Sequence, residues 1–179
     1  MADRPYDKER LKHLIHYVIW KVGARAGFGA TKLYKAAWFS DAKTFLLTGK
    51  SITGAPYIRE KYGPIPKHGF PIRLELMQDG VISQWQLPGS DEWHFKALVP
   101  PAPEWFATDE RKCIDHWSAL IADKHTAASI SDESHDYAWH IAPMGEVLPI
   151  YSILAERIRD PNDEELDRMR KKAEALGLH

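Results

Sequence analysis

The 179-residue chain is poor in several features, and each shortage excludes a class of protein. It has one cysteine, Cys113, so it can close no intramolecular disulfide and build no cysteine-based zinc site. No apolar run approaches the roughly 20 residues that span a bilayer, so no membrane span is expected. The opening MADRPYDKERLK is polar and lacks the apolar stretch of a secretory signal, which makes a reducing cytoplasm the expected compartment. There is no phosphate loop: Thr48-Gly49-Lys50-Ser51 matches only the tail of that motif and reads as a turn. Repeats, low-complexity tracts and long linkers are missing too. The chain therefore reads as one domain over 1–179 with one core.

Net charge is small, −1, but unevenly spread. Residues 1–73 carry 14 Lys and Arg against 5 Asp and Glu, and residues 74–179 carry 10 against 20. The favoured explanation is that the two halves pair their charges, within the fold or across a homodimer. The alternative is a nucleic-acid-binding regulator that uses Lys12, Lys21, Arg25, Lys32, Lys35, Lys43 and Lys50. Those cations are spread over several helices without a recognition helix, so a nucleic-acid partner is not expected.

What is present is helix. Residues 7–22 place Leu11, Leu14, Ile15, Val18, Ile19 and Val22 at the helical period, with Asp7 as N-cap and Gly23 after the end. Thr31–Leu47 is apolar on most sides, as in a central, buried helix, with Lys32, Lys35 and Lys43 as its thin polar strip. A hooked turn follows over 49–66, where Gly49, Gly54, Pro64 and Pro66 forbid a continuing helix. Residues 67–78 predict a shorter helix, beginning near Pro71 and stopped by Asp79-Gly80.

Two alternating runs, VISQWQL and EWHFKALV, flank PGSD and predict a β-hairpin. Pro100, Pro101 and Pro103 make a stiff connector. Residues 108–123 predict a helix with Thr108 as N-cap and an apolar face of Cys113, Trp117, Leu120 and Ile121. A short helix is expected over 126–134, an aromatic knot over 134–139, and a helix over 147–158 with Pro149 in its first turn. A peripheral helix is expected over about 160–177. The expected fold is mainly α, a compact helical domain around a central buried helix, with one small β-hairpin.

Two separated motifs carry a family resemblance. The first runs through Lys32-Leu33-Tyr34-Lys35, Gly49-Lys50-Ser51-Ile52-Thr53-Gly54 and Tyr62-Gly63-Pro64-Ile65-Pro66; the second is Ser134-His135-Asp136-Tyr137-Ala138-Trp139, followed by Leu148-Pro149-Ile150-Tyr151. In this order they resemble the Panacea antitoxin domain, also called SocA-like, over roughly Leu11–Leu154. Tyr34 stands where members often carry Gln, and Asp136 where Glu is usual. The stretch 84–103 is longer and more aromatic than in the family. The resemblance implies a binding module, not an enzyme. Family members neutralise a toxin encoded beside them by direct contact, or tether it to a protease, and many are carried by phages, prophages or mobile elements. A cognate toxin is the implied partner, with a protease or chaperone as a further one. The motif residues Lys32, Leu33, Gly54, Tyr62, Gly63, Pro64, Ser134, His135 and Trp139 are then structural.

Other constellations have a plainer reading. His13 and His16, three apart on a helix, and His135, Asp136 and His140 offer metal-ligand spacing for a small His-metal enzyme. Without an H-E-x-x-H pattern, the first pair reads as a helix–helix contact. In the second group His135 is expected to hydrogen-bond buried backbone while Trp139 fills the core. Cys113 lies among apolar positions and reads as inert. No metal, cofactor or catalytic residue is therefore assigned. The seven tryptophans exceed an ordinary core's need. Trp85, Trp93 and Phe95 on the hairpin are the expected partner-binding anchors.

Overall fold

The structure is a computed structural model that describes residues 3–157, 166–168 and 170–171. It is mainly α, 55% helix with 10% strand. Helix α1 spans Lys8–Val22, and its N-cap Asp7 accepts a hydrogen bond from the Arg10 amide. Helix α2 spans Ala30–Thr48 and buries residues on most of its faces, as its composition predicts. It packs against α1, against α4 (Thr108–Lys124) and α5 (Ala127–Glu133), and against a final 3₁₀ segment, Ile150–Arg157. Helix α3, Gly69–Gln78, lies against α1. The core joins Leu11, Leu14 and Ile15 of α1 to Leu33, Ala37 and Trp38 of α2 and Ile114 and Ile121 of α4. Among the described residues no helix is long and apolar enough to cross a membrane.

Two small antiparallel sheets replace the expected single hairpin. The hairpin is present, with β3 (Ile82–Gln86) paired to β4 (Trp93–Ala97). The second sheet has β1 (Tyr57–Ile58) between β2 (Ile65–Pro66) and β5 (Val147–Leu148). So the helix expected over 147–158 is corrected. Its first two residues are strand, paired to the hook, and a 3₁₀ segment follows Pro149. A two-residue strand carries no readable periodicity, and its partner lies about 90 residues away.

Smaller corrections follow from local chemistry. Ala107, not Thr108, caps α4, because Glu110 reaches back to the Ala107 amide at 2.9 Å. Helix α3 begins at Gly69, near Pro71 as expected. The expected aromatic knot holds a one-turn helix, α6 (Tyr137–Ile141), capped by Asp136 through the Trp139 amide. Leu47, at the end of the helix expected to be apolar and buried on most sides, is exposed. The helix expected over 160–177 falls largely outside the described residues.

Candidate functional site

The motif residues converge on two buried knots that hold the hook to α2. In the first, Asp41 accepts hydrogen bonds from the Thr53 amide at 2.9 Å, the Thr53 hydroxyl and the Tyr57 hydroxyl at 2.8 Å. Asp41 is fully buried. Desolvation pushes its carboxyl up to about 6, against the pull of those donors. Gly54 follows with φ +66°, and a Cβ there would lie 2.3 Å from the Arg4 carbonyl oxygen. The chain before α1 thus lies directly over the hook. It is tied down by the Asp7 amide donating to Thr53 O at 3.0 Å and by Ser51 donating to Asp3.

The second knot brings together three segments far apart in sequence. Lys35 is fully buried on α2, and its ammonium donates to Pro64 O at 2.8 Å. Burial lowers its pKa to about 7. Gly63 has φ +89°, and a Cβ there would sit 2.1 Å from Ser134 Oγ and 2.6 Å from Lys35 Nζ. Ser134 Oγ in turn donates to Ser131 O at 2.6 Å. The motif positions Leu33, Gly63, Pro64 and Ser134 are all buried, and Tyr62 beside them is exposed.

Two expectations about this region are corrected. Lys32 and Lys35 are not a solvated strip; they are 5% and 0% exposed. Trp139 is only half-buried rather than a core residue. It donates from Nε1 to Glu60 O at 2.9 Å and stacks with His135, ring centroids 3.6 Å apart, and with the Arg59 guanidinium at 4.5 Å. His135 therefore makes a ring stack and a long contact to Ser131 Oγ, 3.5 Å, in place of the expected bond to buried backbone.

The histidine and cysteine candidates have other surroundings. His13 stacks on Trp105 at 4.0 Å, and His16 Nε2 lies 2.9 Å from Val99 O. These partners flank the proline-rich connector, Trp105 in a one-turn 3₁₀ helix (Pro103–Trp105) and Val99 before it, rather than lying on another α-helix, and burial lowers both pKa values. His140 is exposed. Cys113 Sγ lies 3.7 Å from Ser40 O, with its thiol pKa raised by burial. Among the described residues no three His, Cys, Asp or Glu side chains group to hold a metal ion.

The hairpin does not present three aromatic anchors. Register sets Phe95 opposite Gln84 and Trp93 opposite Gln86, on one face, with Trp85 and His94 on the other. Phe95 is fully buried, which corrects its assignment as an exposed contact. Trp93 is half-buried beside it, over the Arg73 guanidinium at 5.0 Å. Trp85, at 42% exposure, is the outward ring, stacked on His94.

Arg73 and Asp41 were not singled out by sequence. Arg73 is 2% exposed and sits among the rings of Tyr34, Phe70, Trp93 and Phe95, each within 5.8 Å. Its available signal was a lone cation on the apolar face of a short helix. Asp41's was a lone acid in a helix apolar on nearly every side.

Around the hook the surface is concave. Open clefts of about 430 and 290 Å³ flank Tyr62 and Lys61, and a third of about 500 Å³ lies between the start of α2 and the hairpin turn. Comparison with models of protein families, with characterised proteins and with solved structures returns no match to this chain.

Proposed function

We propose that the chain is a non-catalytic protein-binding domain that neutralises a cognate toxin in the cytoplasm, by direct contact or by delivering it to a protease. The resemblance to Panacea antitoxins motivates this reading, with α2 as the element around which the domain is arranged. One observation supports it above the others: the residues that carry the resemblance are engaged with each other. Lys35, Gly63 and Ser134 meet in one knot; in the other, the motif residue Thr53 is held by the Asp41 carboxylate, to which Tyr57 also donates. Such residues serve to hold a shape, and they leave the outer surface to vary with the partner.

The test is co-expression with the product of the neighbouring gene, since members of the family are encoded beside their toxins. The expected outcome is rescue of growth and a complex that co-purifies. Good expression without rescue, and without a detectable complex, overturns the reading.

A further inference from the structure

An open cleft of about 430 Å³ lies between the last turns of α2 and the first half of α4. Its walls are largely apolar, made by Leu46, Trp117 and the Cys113 thiol. They are firmly backed, because Trp117 stacks on buried Phe39 with ring centroids 5.0 Å apart. Leu47 stands at the mouth of the cleft, 80% exposed, more than any other large apolar side chain among the described residues. An apolar knob thus stands beside an apolar hole.

The rim carries both signs of charge. Lys43 lies over the Phe39 and Trp117 rings at 5.8 and 5.4 Å, without a carboxylate partner among the described residues. Asp109 is 94% exposed, and its contact with Lys112, at 3.3 Å and one turn away, is a surface pair that contributes little and exchanges readily. Glu133 and Asp136 follow beyond Lys43, in the next and smaller cleft. A partner of uniform charge, such as a nucleic acid, meets its own sign somewhere on this face. A second copy of the face does not. About a two-fold axis, a surface that offers both knob and hole, and both signs, complements itself.

We propose that two copies of this chain pair through this face about a two-fold axis. Leu47 of each copy sits in the other's cleft, and Lys43 faces Asp109 of the partner subunit. The pairing stands on the α2–α4 face alone and does not depend on the toxin-binding reading. It covers the C-terminal end of α2. The clefts at Thr31 stay open, about 24 Å along the same helix. One knob and one hole per copy make a small interface, so the dimer should form at about micromolar concentration.

Sedimentation equilibrium of the full chain should show the mass rising from one chain to two across the micromolar range. Leu47→Glu alters an exposed position, so the fold should persist, as near-ultraviolet circular dichroism checks. It should weaken pairing about thirtyfold. Lys43→Glu should weaken pairing about tenfold, and adding Asp109→Lys should recover most of that loss, which a purely local effect would not do. Cys113 is the chain's single thiol and lines the cleft, so it reads the face directly. A maleimide should modify it about tenfold more slowly in the dimer than in dilute monomer.

The mass of one chain at every concentration overturns the proposal. A dimer unchanged by Leu47→Glu also overturns it, by placing the interface elsewhere. Protection of Cys113 that ignores concentration would mean that the cleft is closed within one chain. Protection that comes only with the neighbouring gene's product would give the cleft to that protein. Either result overturns the pairing.

Discussion

Residues 4–25 and residues 32–73 are both basic, yet they treat their charge in opposite ways. In the first region all six cations are ion-paired: Arg4 and Arg10 with Glu110, Lys8 with Glu75, Lys12 with Asp79, Lys21 with Asp115 and Arg25 with Asp123. Every one of those acids lies beyond residue 73, so the two halves do neutralise each other, but only through this first region. In the second region none of the eight cations, from Lys32 to Arg73, has a carboxylate partner among the described residues. Three of these eight are buried, and the fold accommodates them in two ways. Lys35 and Lys32 use backbone oxygen, while Arg73 uses aromatic faces. Net charge by halves therefore misleads about where free positive charge resides.

The comparison is broken hardest at Gly63, which closes the pocket around unpaired Lys35. Gly63→Val should cost about 4 kcal/mol, from strain at φ +89° plus overlap with Ser134 and Lys35. Urea unfolding measures it, and an unchanged midpoint would mean that the knot is loose.

Next comes the paired region. Glu110 accepts Arg10 at 2.8 Å with both oxygens and Arg4 at 3.1 Å, all partly buried. Glu110→Ala strands two guanidinium groups and should cost about 3 kcal/mol. A loss under about 1 kcal/mol in the same assay would show that pairing contributes little to the first region.

A pH comparison separates the regions further. Burial holds folded Lys35 at about 7, against an ordinary 10.5 in the unfolded chain. Between those values the unfolded chain binds a proton that the folded chain lacks. Lys35 thus makes stability rise with pH above about 7 and leaves it flat below. Lys35→Met should lose that rise, read as the change in unfolding midpoint between pH 7 and pH 9. The same change in variant and wild type would show that Lys35 keeps an ordinary pKa. The smallest effect belongs to the exposed pair Arg25–Asp123, where Arg25→Gln should shift stability by about 0.5 kcal/mol or less. A shift of 2 kcal/mol would make surface pairing matter far more than its exposure allows.

The long periodic elements were legible in the sequence. Helices α1, α2 and α4, the hairpin and the breaks at Gly49 and Asp79-Gly80 all follow from spacing and turn chemistry. Partnership across long sequence distance was not legible. Nothing near Val147 indicates that it pairs with Ile58, and nothing near Lys35 indicates that Pro64 and Ser134 enclose it. Exposure of the hairpin aromatics depended on register. A shift of one residue would have turned Phe95 outward and Trp85 inward. The candidate site suffered most, because it is made of such distant meetings. Single residues at odds with their surroundings, Asp41 and Arg73, were the readable trace of it.

The small sheet has a consequence for how the chain is made. Strand β1 finds β2 within ten residues, but its other edge waits for Val147 and Leu148. On a ribosome, the hook therefore emerges with one open edge and stays so while some 80 further residues are added. A nascent chain stalled before Val147 should be cut by protease at the hook, and one stalled well beyond Ile150 should resist. A strand synthesised late thus acts as the clasp that completes one of the first turns.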